Sequence, residues 1–345
     1  MFLLALACSD YELKSPADIG AGTDTAVACD EPLQADYPVT PDEDCIASPS
    51  VGTFNPVIEW QWSANTTQPG YDDLMATPAI GNLTDDNGDG LINDDDVPDI
   101  VFTSFAGGAY TSPGTLTAIS GDGSGQLWSI TSSGGVSIYA AGGVAIGDLE
   151  GDGVPEVCTA AVGASVVCME IYNQGPVFKW SGGTEPYSVG CPSFADMDAD
   201  GLSEVIFGRE IFNHEGTLLG HGGAGLSRAM TFAVDMDGDG QLEVVAGNAI
   251  YELDGSLAWS DGGTDGLVAV ADFDLDGSPE LVRVGGSTVQ VLSPFTGTVA
   301  WTTSVPGGGG GPPTVADFDG DGLPEVGVAG LAYYTVFDTD GAVMW

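Results

Sequence analysis

The nine residues Asp317-Phe318-Asp319-Gly320-Asp321-Gly322-Leu323-Pro324-Glu325 put a carboxylate at every second position and one more four residues later. Acids packed this closely repel unless a cation lies among them. In such a DxDxDGxxE stretch the side chains at positions one, three and five converge if the backbone turns sharply. Glycine at position six supplies the dihedral angles for that turn. The seventh carbonyl then points inward, and the acid at position nine closes the cage from the start of the next strand. Hard oxygen donors in this number suit Ca²⁺, whereas Mg²⁺ takes fewer carboxylates and keeps more of its water.

The pattern recurs. Counting the seventh residue for its carbonyl, the candidate ligands are Asp148, Glu150, Asp152, Val154 and Glu156; Asp196, Asp198, Asp200, Leu202 and Glu204; and Asp235, Asp237, Asp239, Gln241 and Glu243. Two further sets follow, Asp272, Asp274, Asp276, Ser278 and Glu280, then Asp317, Asp319, Asp321, Leu323 and Glu325. Upstream, a longer variant runs from Thr77 to Phe102. Within it Asp85, Asn87, Asp89, Leu91, Asn93 and Asp96 match the twelve-residue EF-hand loop, with Asp in place of the terminal Glu. Which of Asp94, Asp95, Asp96 and Asp99 completes that cage is open. A single copy reads as a polar turn; six in fixed register read as about one calcium per loop.

The elements that hold these loops are short strands. A small apolar run such as Ala233-Val234 precedes each loop, a β-rich run such as Val244-Val245-Ala246 follows, and a turn then leads to a closing aromatic. Successive copies start about 37 to 48 residues apart, the span of a four-stranded propeller blade. No window shows helical periodicity. The expected fold is therefore an all-β propeller of four-stranded blades over residues 56–345. Trp128, Trp180, Trp259, Trp301 and Trp345 fall at the closing position, with Leu219 there in the third unit, and are expected as core between blades. Residues Pro56 to Trp62 resemble a lone closing strand. Paired with a chain that stops at Trp345, they suggest seven blades with the last incomplete; six blades and an extra strand are the alternative.

Composition agrees with a metal. Of 345 residues 51 are acidic and five basic, a formal charge of −46, yet 43% are hydrophobic, enough for a core. Lys14, Lys179, Arg209, Arg228 and Arg283 are too few and too scattered for phosphate recognition, so nucleic acid is not an expected partner. The first eight residues read as the end of a secretory signal, and Ala5-Leu6-Ala7-Cys8 resembles a bacterial lipobox with Cys8 lipidated. That lipid is the one expected membrane contact, and the chain is expected at the cell surface or secreted. Residues 9–55, rich in Pro, Asp and Thr, read as a polar linker. Export permits disulfides. Cys158 and Cys168 flank a hairpin turn, Cys29 and Cys45 could clip the linker, and Cys191 is left over as a buried thiol.

With these loops in view, the sequence resembles the FG-GAP/VCBS family of calcium-binding β-propellers. It is similar to the integrin α-chain head and to bacterial surface repeat lipoproteins. The resemblance implies calcium at positions one, three, five and nine of each loop, and adhesion or recognition at a surface whose ligand, protein or glycan, it does not fix. Glu150 departs from the family's usual Asp or Asn, and the FG and GAP signatures survive only at Phe207-Gly208 and Ala246-Gly247.

Catalysis finds little support. His214 and His221 accompany no nucleophile motif, the paired acids are accounted for by a metal, and Gly307 to Gly311 precede no helix. A polysaccharide lyase or hydrolase using calcium is the alternative to an adhesion module. On the face opposite the calcium loops, Tyr110, Tyr139, Tyr187, His221 and Arg228 are the candidate ligand contacts.

Overall fold

The computed structural model describes residues 57–345 except 174, 186–189 and 226–229. Cys8, Cys29, Cys45, Tyr187 and Arg228 lie outside the described residues. Trp60–Trp345 form one compact unit.

The described secondary structure is all β. The first sheet runs β1 (Ala79–Gly81), β2 (Asp99–Ser104), β3 (Thr115–Ile119) and β4 (Gln126–Ile130), antiparallel and in chain order. The second contains a short hairpin, β5 (Ser132–Ser133) and β6 (Val136–Ile138), then β7 (Val144–Gly147), β8 (Glu156–Val162), β9 (Val166–Tyr172) and β10 (Gly175–Gly182); both β6 and β7 pair with β8. Three four-stranded meanders follow. They are β11 (Ser193–Ala195), β12 (Glu204–Phe207), β13 (Glu210–Phe212) and β14 (Leu218–His221); β15 (Phe232–Val234), β16 (Glu243–Ala246), β17 (Ala249–Tyr251) and β18 (Leu257–Ser260); and β19 (Leu267–Ala271), β20 (Glu280–Gly285), β21 (Thr288–Ser293) and β22 (Thr298–Ser304). The last sheet holds β23 (Thr314–Ala316), β24 (Glu325–Ala329) and β25 (Tyr334–Phe337), with its fourth segment reduced to a Phe337–Val343 bridge. First strands of successive sheets are neighbours: β1 lies by β7, β7 by β11, β11 by β15, and β19 by β23.

The core is layered between sheets. Side chains alternate across a strand, so neighbours on one middle strand enter different layers. Val244 packs with Met197, Ile206 and Ile211 of the preceding sheet, and Val245 with Leu281 and Leu292 of the following one. Being covered on both faces, the middle strands are continuously apolar.

The residues Val57 to Trp62 form no strand, contrary to the expected closing strand. They are anchored by side chains instead. Trp60 covers Gly123, Trp62 stacks edge-on to Phe102 at 4.9 Å, and Asn65 Nδ2 donates to Thr117 Oγ1 and Ser129 Oγ at 3.0 and 2.9 Å.

Of the closing tryptophans expected as core, Trp180 is buried, Trp128, Trp259 and Trp301 are half-buried, and Trp345 is 63% exposed. Trp180 and Trp301 each lie over a turn of the next sheet, donating from Nε1 to the carbonyls of His214 (2.9 Å) and Thr339 (2.8 Å). In the third sheet the register assigns the closing position to Gly220, which pairs Ile211 as Trp259 pairs Ile250; Leu219 is the bulged residue before it. Without an indole there, the backbone of Gly220 approaches that of Gly255 directly.

Cys158 and Cys168 are directly opposite on β8 and β9 and form a disulfide. Cys191 is free but only half-buried.

Candidate metal centres

Each acidic loop joins two antiparallel neighbours, β1 to β2, β7 to β8, β11 to β12, β15 to β16, β19 to β20 and β23 to β24, and a common pattern of backbone hydrogen bonds runs through them. The Asp at position one gathers backbone N–H groups. Asp317 Oδ1 accepts from Gly320 and Asp321 at 2.6 and 3.1 Å, and Oδ2 from Gly322 at 3.0 Å. The Asp at position five accepts from the seventh N–H, as Asp152 does from Val154 and Asp239 from Gln241, both at 2.8 Å. These bonds require left-handed backbone at position six, where Gly153, Gly201, Gly240, Gly277 and Gly322 have φ between 84° and 93°. Position four is left-handed too, and there the chain places Ala199 (φ 59°) and Leu275 (φ 58°) as well as glycines.

The ninth residue ties the loop to the core. Glu156, Glu204, Glu243, Glu280 and Glu325 are all buried, and each accepts through Oε2 from the N–H of the loop's second residue at 2.6–2.9 Å. Those second residues, Leu149, Met197, Met236 and Phe273, plug the layer between their own sheet and the next. Phe318, in the last sheet, is 39% exposed. This plug was not anticipated, although an apolar residue at position two of every copy is visible in the sequence.

Carboxylate oxygens converge where a cation was expected. Asp317, Asp319, Asp321 and Glu325 bring one oxygen each within 4.8 Å of one another, as do Asp196, Asp198 and Glu204; Asp235, Asp237 and Asp239; and Asp272, Asp274 and Asp276. Glu325 Oε1 is buried with no hydrogen-bond partner among the described residues. A buried anionic oxygen left unpaired is costly, and a divalent ion coordinated by this set would satisfy it. Burial is the main reason that Glu243 is pushed up to about 7, with the charges of Asp237, Glu252 and Asp235 adding to it against the Met236 N–H. Burial likewise raises Glu204.

In the long first loop Asp85 repeats the N–H pattern of Asp317, accepting from Gly88, Asp89 and Gly90 at 2.7–3.1 Å. Asp96 folds back, its carboxylate accepting from the N–H groups of Asp86, Asn87 and Asn93, and so closes this loop. Asp99 has another place. It is fully buried at the start of β2 and accepts from the Leu83 N–H at 3.1 Å, as the ninth Glu does elsewhere. Thus Asn82 and Asp99 correspond to positions one and nine, and 85–96 is an insertion between them. Burial raises Asp99 to about 6 despite the Thr84 hydroxyl and Leu83 N–H, and its Oδ1 and Asn82 Oδ1 are buried without partners among the described residues.

The loop Asp148–Glu156 differs. Glu150, Glu156 and Glu170 converge, and the Lys179 ammonium lies among them, bonded to Glu150, to Glu170 at 3.1 Å and to Glu156 at 3.3 Å.

The opposite face divides the expected ligand contacts. Tyr110 is exposed and packs edge-on to Phe105, whereas Tyr139 is buried at 3% exposure and presents no ring to solvent, correcting its assignment. It belongs to the core layer between the second and third sheets, with Cys158, Ala160, Phe207 and Phe212. His221 Nε2 is 2.9 Å from Glu185 Oε1, which also receives Arg209 at 2.7 Å. The Glu185 carboxylate, far from both in sequence, brings these three together. A polar cavity of about 400 Å³ is lined by Asp261, Arg283, Gln290 and Thr302 with glycine backbone. Arg283 grips Asp261 bidentately at 3.0 and 2.8 Å.

A scan against protein-family models finds no match, and a search of curated proteins finds none. Among solved structures, the Vibrio cholerae biofilm matrix protein Bap1 is 30% identical with a TM-score of 0.64, covering 76% of this chain and 45% of its own. Rhamnogalacturonan lyase YesW is 17% identical (TM-score 0.56; 82% of this chain, 59% of that one), and the Bacillus licheniformis rhamnogalacturonan lyase PL11 is 16% identical (0.57; 84% and 60%). The chain thus spans less than two thirds of each of them. The lyases share its fold.

Proposed function

We propose that this chain is a calcium-stabilised β-propeller exported to the cell surface, where it serves as an adhesion or recognition module of the extracellular matrix. One observation carries the reading: six loops of common design, four of which gather three or four carboxylates around one point. The side-by-side first strands support blades around a shared axis. Calcium is the proposed ion, about one per cage, held by the residues at positions one, three, five and nine and the seventh carbonyl. The likeness to a biofilm matrix protein supports the location and the role, and a lipid on Cys8 would anchor the module. Among the described residues no helix is long and apolar enough to cross a membrane.

A second reading is a carbohydrate-binding or carbohydrate-cleaving module. The cavity at Asp261, Arg283, Gln290 and Thr302 offers the bidentate and hydroxyl groups that recognise sugars, and the Glu185–His221 pair offers acid–base groups. Binding to immobilised matrix polysaccharides and to whole cells, in calcium and in chelator, tests the first reading; calcium-dependent retention is expected, and none on either surface contradicts it. Appearance of unsaturated sugar products, lost on His221→Ala, would establish the lyase instead.

A further inference from the structure

Every complete sheet carries a bulge one residue before its closing position, between the third and fourth strands: Leu127, Lys179, Leu219, Ala258 and Ala300. A bulge re-aims a side chain. Four of these residues are apolar; the second sheet alone places a charge there, in a chain with five basic residues in all. The Lys179 side chain is 10% exposed and its ammonium reaches three carboxylates. Two of them, Glu150 and Glu156, are positions three and nine of the acidic loop. The third, Glu170, pairs directly with Glu156 across β8 and β9. The same loop is the one whose third residue is Glu rather than Asp, and the extra methylene lets that carboxylate reach inward to the ammonium.

We propose that Lys179 is the built-in cation of the Asp148–Glu156 loop, so that this loop closes without a divalent ion while its counterparts need one. An ammonium with three donors and a carboxylate for each fits the cage that elsewhere gathers acids alone. Burial by itself would weaken the proton's hold on Lys179; the bonds to Glu150 and Glu170 and the charge of Glu156 outweigh it, and the group is held firmly protonated. The second sheet, also cross-linked by Cys158–Cys168, then keeps its structure when calcium is withdrawn.

This inference rests on the calcium reading of the other loops, and the experiment separates the two. Native mass spectrometry of the full chain counts bound calcium. One ion fewer than there are acidic loops is expected, with Asp152→Asn leaving the count unchanged and Asp321→Asn lowering it by one. A loss of one ion on Asp152→Asn overturns the inference and leaves the calcium reading intact. If no calcium binds at all, the calcium reading fails, and Lys179 is judged by melting in chelator. There Lys179→Met, which strands the buried Glu156 beside the half-buried Glu150 and Glu170, lowers Tm by about 10 °C. An unchanged Tm in chelator overturns the inference. If that variant does not fold, the Asp152→Asn count on the otherwise native chain still decides.

Discussion

Ala199 and Leu275 hold a backbone conformation that costs a residue with a Cβ about 1–2 kcal/mol. They keep it because the position-one carboxylate needs the N–H groups of the left-handed stretch. Ala199→Gly and Leu275→Gly should therefore each stabilise the protein by about 1 kcal/mol in urea unfolding; destabilisation would contradict the account. The ninth acids make a prediction about pH. Burial raises Glu243 to about 7 and Asp99 to about 6. A folded-state pKa above the unfolded value means the fold prefers the protonated acid, so this contribution is present at low pH and is lost as pH rises. Metal-free protein should lose stability between about pH 4 and 7, and the gain on adding calcium should grow over the same interval. A chelated protein that is more stable at pH 7 than at pH 5 would argue against it. The acid spacing and the glycine at position six were legible in the sequence. The same demand at position four was hidden, because Ala and Leu stand there in two copies. Asp99 was one of four candidates to complete the first cage, and its role could not be singled out because the inserted loop separates it from its partner Leu83.

At the scale of elements, loop and core are linked through position two. The Glu204 carboxylate fixes the Met197 N–H, and the Met197 side chain fills the layer between the third and fourth sheets. Met197→Ala should cost about 2–5 kcal/mol and weaken calcium binding at its loop, read by calorimetric titration; an unaltered affinity would separate packing from ligation. Closing tryptophans also reach the next sheet, as Trp180 and Trp301 do. A Cβ on Gly341, whose φ is +82°, would come within 2.7 Å of the Trp301 ring. Gly341→Ala should destabilise by about 1–3 kcal/mol, checked by thermal melting, and a neutral effect would refute the contact. Strands were legible from alternation and turn residues. The Val57–Trp62 segment was not, because it docks through Trp60, Trp62 and Asn65 rather than by a backbone ladder, and residue type alone does not tell these apart. Lys179 was noted only as one scattered charge; its role depends on a bulge in the register that no local pattern announces.

The whole molecule carries a formal charge of −46, much of it held in loops that tie sheet to sheet. Without cations that charge works against the compact state, so sodium chloride should raise Tm in chelator through screening and change it little in calcium. The ligand is the part the sequence conveyed least, since contacts between side chains of different sheets, such as those of the buried Glu185 with Arg209 and His221, leave no local pattern in it. On the proposed reading, ions at millimolar calcium would contribute about 1.4 kcal/mol per loop for a dissociation constant near 10⁻⁴ M, which over several loops is comparable with the stability of a domain. Thermal unfolding of one preparation in millimolar Ca²⁺, then in excess chelator, then with Mg²⁺ restored in place of Ca²⁺, tests this most directly. The account predicts a large fall in Tm on chelation that Mg²⁺ scarcely reverses; superimposable melting curves in all three conditions would contradict it.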